Sequence, residues 1–469
     1  MHEHTEAPNL LFVFADQLRA QSVGCYGNPE VQTPHLDALA QNGVRFAHAF
    51  SNSPVCTPAR GSLLTGEYPL DHGAVVNDVP VSTECCSIAH VLKDAGYATG
   101  YIGKWHLDGV PRDRFTPPER RLGFDFWRVW NCSHAYLDAK FFGDDAEAVP
   151  IDGYEPIAQT DMAMEFIESH QSDPWCLYLS YGPPHDPYDQ VPQEYLDLYD
   201  PDRLQLRGNV PESVHKQRGQ GWRADPYQVT AGYYAHVTAL DEQIGRLIHQ
   251  LNALNLTDNT IVVFTSDHGD MLGSHGLRNK QLPHAESIDV PLIARWPQKL
   301  PAGAVCDGLI GLVDLVPSLV GLMELQLPQP VGGADLSPMF VNPILPGHRS
   351  CFLMDIIPVD QNVGRDPWRG VRTQRYTYVE NPAREITHLF DNDADPLQLT
   401  NLAERFRGSS LAACLARELE GWLHQTGDSF SHWEEHIRAL KAVDLWNARE
   451  RYAGEKYLHH LGAEPRFLT

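Results

Sequence analysis

Apolar and polar positions divide the chain into two kinds of segment. Short continuous apolar runs come first, as in Asn9-Leu10-Leu11-Phe12-Val13-Phe14-Ala15, with polar residues on either side. A run of that length predicts a strand buried on both faces. Residues 97–102, 175–180 and 260–265 read the same way, and residues 44–50 read as a further extended segment. Between them the period changes. Val229, Tyr233, Val237, Leu240, Ile244, Leu247, Leu251 and Leu254 recur at spacings of four and three, which predicts a long amphipathic helix. Shorter helices are expected after Thr33-Pro34, through Leu36, Leu39 and Ala40 to Gly43, and after Ser87, through Ile88, Val91, Leu92 and Ala95 to Gly96. Residues 157–170 also read as helix, whereas residues 107–156 show no period and are expected to be irregular. Strands alternating with helices predict an α/β fold with a large, mostly parallel sheet between helices.

Past Leu336 the pattern shifts. Residues 368–373, 376–380 and 388–391 read as strands of a smaller antiparallel sheet. A helix over 409–425 follows, then a helical tail from His432 carrying Trp433, Trp446 and Tyr457. The expected division lies near Pro346: a catalytic α/β domain over 1–345, and a C-terminal subdomain with its tail over 346–469.

Composition narrows the partners. The 469 residues carry a formal charge of −25, which argues against nucleic acid or an anionic membrane. An anionic substrate would therefore need a local basic pocket. No apolar run is long enough to span a membrane. The polar start, Met1 to Pro8, leads straight into the first strand without a signal-peptide pattern, so a cytoplasmic protein is expected, or an exported one if the N-terminus was trimmed. Nine cysteines without regular spacing do not form a disulfide framework, and adjacent Cys85 and Cys86 read as two unrelated thiols.

The candidate chemistry gathers where strands end. Asp16-Gln17, Lys104 with His106, His185, and Asp267-His268 each follow an apolar run. In open α/β sheets, sites form beyond the carboxyl ends of the strands, so these distant groups can converge. A further turn, Ser53-Pro54-Val55-Cys56-Thr57-Pro58-Ala59-Arg60, reads as a helix start with Thr57 as cap and Pro58 at the first helical position. Cys56 there is either a reactive nucleophile or an inert core thiol. Asp16, Gln17, Asp267 and His268 offer oxygen donors and one imidazole, a set suited to a hard divalent cation such as calcium. Lys104, His106, His185 and Lys280 supply positive charge and donors for a tetrahedral oxyanion.

Cys56-x-Pro58-x-Arg60, followed by Ser62-Leu63-Leu64-Thr65-Gly66, resembles the signature of the formylglycine-dependent sulfatases. The chain is similar to that family also at Asp16-Gln17, Gly24-Cys25-Tyr26-Gly27-Asn28, Thr33-Pro34-His35-Leu36-Asp37, Gly103-Lys104-Trp105-His106, Pro184-His185, Ser266-Asp267-His268-Gly269, Lys280, and Leu389-Phe390-Asp391 with Asp395-Pro396. The resemblance implies an alkaline phosphatase-like fold and hydrolysis of sulfate monoesters of carbohydrates or aryl alcohols. It implies conversion of Cys56 to formylglycine by a maturation enzyme, and one divalent cation held by Asp16, Gln17, Asp267, His268 and the side chain at 56. Calcium is foremost, with magnesium and manganese as alternatives. By the same resemblance the formylglycine hydrate attacks sulfur, and Arg60 helps hold it ionised. Lys104 and His185 bind sulfate, Lys280 meets the leaving oxygen, and His106 takes the proton when the aldehyde re-forms, with His185 the alternative general acid. The implied partners are a sulfated small molecule or oligosaccharide and the maturation enzyme, and an oligomer is compatible.

Two positions depart from the common family pattern. Many members carry two aspartates where this chain has Asp16-Gln17, and aspartate-asparagine where it has Asp267-His268. That pairing also resembles the phosphonate monoester hydrolases and phosphodiesterases, whereas the retained Lys104-Trp105-His106 favours a sulfatase. A silent binding protein on the same fold would be expected to lack Cys56 or a metal ligand, and none is missing. Arg112, Arg114, Arg120 and Arg121, with Trp127, Trp130, His134 and Tyr136, form either a subsite for a sulfated sugar or a packed loop.

Overall fold

The computed structural model describes residues 7–358, 366–458 and 465–469; the chain start through residue 6 and the Tyr457 side chain lie outside them. One sheet of ten strands runs in the order β10-β2-β9-β8-β1-β7-β3-β4-β5-β6. Its strands are β1 (Asn9–Asp16), β2 (Val44–Phe50), β3 (Ala98–Lys104), β4 (Phe126–Trp130), β5 (Lys140–Phe142), β6 (Ala148–Pro150), β7 (Trp175–Pro184), β8 (Thr260–Ser266), β9 (Leu292–Arg295) and β10 (Ala304–Gly311). The run β8-β1-β7-β3-β4 is parallel throughout, so its carboxyl ends share one edge.

β1 shows why its sequence is apolar without alternation. Leu10, Phe12 and Phe14 face one core, with Leu63 and Leu64 of the helix Cys56–Thr65. Leu11, Val13 and Ala15 face the other, with Leu240 and Leu247 of the 28-residue helix Pro226–Ala253. Each fully buried Leu or Phe contributes about 1.5–3 kcal/mol, so both layers are held to the sheet by this one strand. The long helix begins as its period predicts, with the Asp225 side chain accepting from the backbone of Tyr227 (2.9 Å).

Residues 107–156 are less irregular than expected. β4 pairs parallel with β3, and β5 and β6 extend the edge. β4 alternates buried and half-buried positions over five residues, too short a run to stand out against its Arg and Trp neighbours.

A second sheet of four antiparallel strands, β11 (Ser350–Asp355), β12 (Trp368–Thr373), β13 (Tyr376–Glu380) and β14 (Ile386–Asp391), packs with the helix Ser410–Thr426 and the tail residues Trp433 and Trp446. Val75, Val76 and Val79 join the same core, so the C-terminal region closes over the segment that follows the Cys56 helix. Arg449 in the tail donates to the Asn77 carbonyl (3.4 Å).

Gly103 sets the end of β3. Its φ of +103° is costly for any side chain, and a Cβ there would lie 2.0 Å from the Ser180 carbonyl oxygen of β7. Gly103→Ala should therefore destabilise the protein by about 2 kcal/mol or more, read as a lower thermal midpoint at fixed scan rate. An unchanged midpoint would contradict this close approach.

Candidate active site

Five elements bring their ends to one place. Cys56 is the first residue of its helix, not the residue before the cap as the sequence suggested. Val55 occupies the cap position, and the Thr57 hydroxyl donates to the His106 carbonyl (2.8 Å) instead of capping. The Thr57 amide donates to Asn77 Oδ1 (2.9 Å), which ties the helix start to the loop that the C-terminal tail also touches.

Arg60, one turn later, is fully buried and reaches the ends of three strands and the middle of a fourth. Its Nη2 donates to Asp16 Oδ2 (3.0 Å) and its Nε to Asp267 Oδ2 (3.0 Å). Its Nη1 donates to the Lys104 carbonyl (2.8 Å) and to Ser180 Oγ (2.7 Å). Asp16 also accepts from Lys104 Nζ. Burial and the Cys56 thiol push the Asp16 carboxyl up, but Lys104, His185 and Arg60 outweigh them and hold it well below the usual carboxylate range. Asp267 goes the other way, because burial and the charge on Asp16 raise it.

Asp16, Cys56, Asp267 and His268 place one ligand atom each within 4.8 Å of one another, all buried. The His268 ring lies with Nδ1 2.9 Å from the Gly269 carbonyl, where it donates, and with Nε2 3.2 Å from Cys56 Sγ. Two crowded carboxylates and an imidazole nitrogen held by a backbone carbonyl fit a divalent cation. With a thiol at 56 the set is mixed in softness; with oxygen there it suits a hard ion. Gln17 is placed differently from the other expected ligands. Its backbone, at φ 69°, donates to Asp267 Oδ1 (3.0 Å), while its side-chain amide donates to Asp270 Oδ2 (2.6 Å) and accepts from Lys280.

The remaining cations surround Cys56. Burial alone would raise its thiol, but Lys280, Lys104 and His268 bring it well below the ordinary range. His106, at φ 55°, has Nε2 3.2 Å from Asp78 Oδ1, and Asp78 is gripped by Arg112 through Nε and Nη2 (both 2.7 Å). Burial works against protonation of His106, yet Cys132 and Asp78 push it up to about 10. His185 sets Nδ1 2.9 Å from the Asp186 carbonyl and Nε2 2.8 Å from Lys280 Nζ, so Lys280 is the donor of that pair. A cavity of about 830 Å³ opens over this floor, lined by Cys56, Lys104, His106, His185 and Lys280.

The sequence did not point to Asn77, Asp78 or Asp270. All three sit outside helices and strands, where no period marks them, and Asp78 has φ 71°, a conformation that in a non-glycine residue is itself a functional hint. The basic segment after His106 divides. Arg114 and Arg120 both pair with buried Asp108, Arg121 packs over Phe115 and Trp127, and Trp130 stacks on Phe142 at 4.9 Å. Only Arg112 and His134 of that group line the cavity.

Comparison with known proteins gives a consistent result. A family model described as Sulfatase matches residues 8–325, and one described as N-sulphoglucosamine sulphohydrolase, C-terminal, matches residues 273–425. An ulvan-active sulfatase of Formosa agariphila is 39% identical over 448 residues, covering 93% of this chain and 85% of the relative. The crystal structure of a sulfatase candidate, yidJ, from Bacteroides fragilis superposes with TM-score 0.82 and 32% identity over 93% of this chain and 99% of that one. The phosphonate monoester hydrolase of Agrobacterium radiobacter shares the fold, with TM-score 0.74 and 22% identity over 89% and 96% of the two chains.

Arg60 is the group whose loss these contacts make most costly. Arg60→Met leaves two buried carboxylates facing each other, and about 3–5 kcal/mol of destabilisation is expected. Thermal unfolding in the presence of chelator checks this; a midpoint equal to wild type would mean that the guanidinium is dispensable.

Proposed function

The chain belongs to the sulfatase family, and on that premise we propose that it hydrolyses sulfate monoesters of carbohydrates at a formylglycine made from Cys56, with one bound divalent cation. The observation that carries this reading is the convergence on Cys56 of two buried carboxylates, held by Arg60, and His268, beneath a cavity lined by Cys56, Lys104, His106, His185 and Lys280. The sugar class is supported by the N-sulphoglucosamine sulphohydrolase model and the ulvan-active relative.

Asp16, Asp267, His268 and the oxygen at 56 would hold the cation, calcium by the hardness of those donors, with Gln17 completing the set by turning its amide from Lys280. The bound ion supplies charge that favours an ionised oxygen at 56 and polarises a sulfate oxygen. Arg60 aims both carboxylates, donating to the outer oxygen, Oδ2, of each. Lys104 presents positive charge and a donor to the sulfate oxygens, and His185, whose Nε2 accepts from Lys280 here, joins it as a donor only in its protonated form. His106, tied to Asp78 through Nε2, keeps Nδ1 for the group at 56; charged, it donates there, and it takes the proton as the aldehyde re-forms only after giving its own up earlier in the cycle. Lys280, donor to His185, meets the charge on the leaving oxygen.

A phosphodiesterase is the second reading, favoured by Gln17 and His268 and by the shared fold of the phosphonate monoester hydrolase. Lys104 and His106 on the cavity floor weigh against it. A sulfate monoester offers three unsubstituted oxygens, and a diester places a second substituent where one of them would be.

A turnover panel of sulfate monoesters, sulfated oligosaccharides and phosphate diesters on metal-replete, matured protein decides between them; preference for the diester would overturn the sulfatase reading. Lys104→Ala should lower kcat/KM for an aryl sulfate by about tenfold to a hundredfold, with a smaller loss on the matched diester. Equal losses would remove Lys104 from substrate selection. Asp267→Ala should lose metal content and activity together, checked by elemental analysis and assay of the same sample. Full metal content in that variant would refute the ligand set.

A further inference from the structure

The floor of the cavity is accounted for by the reacting group, but its outer wall is not. Trp222, Arg223, Arg278 and Lys456 line the same space as Cys56 and Lys280. The loop that carries Trp222 and Arg223 is built and held. Gly219 and Gly221 take φ of 79° and 92°, which turns the chain sharply on either side of Gln220. Arg278 clamps the loop, with Nη1 donating to the Arg223 carbonyl (2.5 Å) and Nη2 to the Ala224 carbonyl (3.3 Å) and Gln217 Oε1 (3.1 Å). From the other side, Asp225 Oδ2 accepts from the Gly219 amide (2.7 Å) while Oδ1 caps the long helix. Arg278 lies two residues before Lys280, so the clamp joins this loop to the segment that meets the leaving group.

The wall has the chemistry of a charged sugar site. Trp222 is 37% exposed, a large aromatic surface turned to the cavity rather than packed. Arg223 and Lys456 are exposed, and among the described residues no carboxylate pairs with either. Two of the three acids on this lining are engaged, Asp186 by His185 and Asp270 by Gln17 and Tyr188. Asp189, on the same lining, offers an acceptor for a hydroxyl. In a chain of net charge −25, a cationic mouth is a local inversion of the protein's field.

We propose that this wall is a second subsite, in which Arg223 and Lys456 bind a further anionic substituent, carboxylate or sulfate, on the sugar next to the reacting one, and Trp222 lies under the sugar ring. The substrate class is then an oligosaccharide carrying at least two anions. This rests on the sulfatase reading for the position of the reacting sulfate.

The test measures binding without turnover, by calorimetry on Cys56→Ala protein. Three ligands share one sulfated sugar and differ in its neighbour, which is neutral, carboxylated or sulfated. An anionic neighbour should tighten binding by about tenfold or more over the neutral one, with an advantage that shrinks as salt rises. The carboxylated and sulfated arms identify which anion the wall takes. The advantage should vanish in Arg223→Ala/Lys456→Ala, and Trp222→Ala should weaken all three ligands. Equal binding of the three ligands, or an anion advantage that survives the double substitution, would overturn the subsite. Matured wild type that hydrolyses no sulfate ester would sink the sulfatase reading alone and leave these binding results standing.

Discussion

One buried guanidinium organises the centre of this protein. Arg60 touches the ends of β1, β8 and β3, through Asp16, Asp267 and the Lys104 carbonyl, and the middle of β7 through Ser180. A fully buried arginine is tolerated only when its donors are met, and here four are. The same contacts explain how two carboxylates can share a dry site: each gives its outer oxygen to Arg60 and keeps the other toward Cys56 and His268. Arg60 can do this only because the Cys56 helix starts at the sheet edge and points its first turn across the strand ends. Gly61, the next residue, lies against the His72 ring, where a Cβ would come within 2.5 Å, and so lets that helix settle at this depth.

Much of this was legible in the sequence, for a physical reason. Strands buried on both faces must be apolar along their length, so a polar residue directly after one marks a sheet edge. Asp16, Lys104, His185 and Asp267 all stand out by that rule, and the parallel order of β8-β1-β7-β3 puts their edges together. The large sheet and the smaller antiparallel one follow from the same patterning. What the pattern does not encode is pairing through turns. Asp78 reaches His106 and Arg112 from a loop, and Asp270 reaches Gln17 from another; neither has a period or a flanking strand of its own. Thr57 looked like a cap by residue type, yet its hydroxyl is claimed by the His106 carbonyl, a contact visible only in three dimensions. Arg114 and Arg120 looked available for substrate, but buried Asp108 takes both.

The C-terminal region is part of the site's support rather than an appendage. Its core takes in Val75, Val76 and Val79, on either side of Asn77 and Asp78. Arg449 holds the Asn77 carbonyl while the Asn77 side chain holds the Thr57 amide, a short path from the tail to the residue beside Cys56. Arg369 and Asp428, a fully buried ion pair at 2.5 Å, lock the second sheet to the loop that precedes the tail. The loop bearing His106's partner is thus clamped from the side opposite the sheet.

The most direct measurement relates the chemical state of position 56 to turnover. Conversion to formylglycine makes the Cys56 peptide about 18 Da lighter, so mass spectrometry gives the converted fraction in any preparation. Across preparations made with and without a maturation enzyme, sulfate release is expected to rise in proportion to that fraction and to extrapolate to zero with it. Full turnover by protein whose Cys56 peptide retains its thiol would contradict formylglycine as the nucleophile.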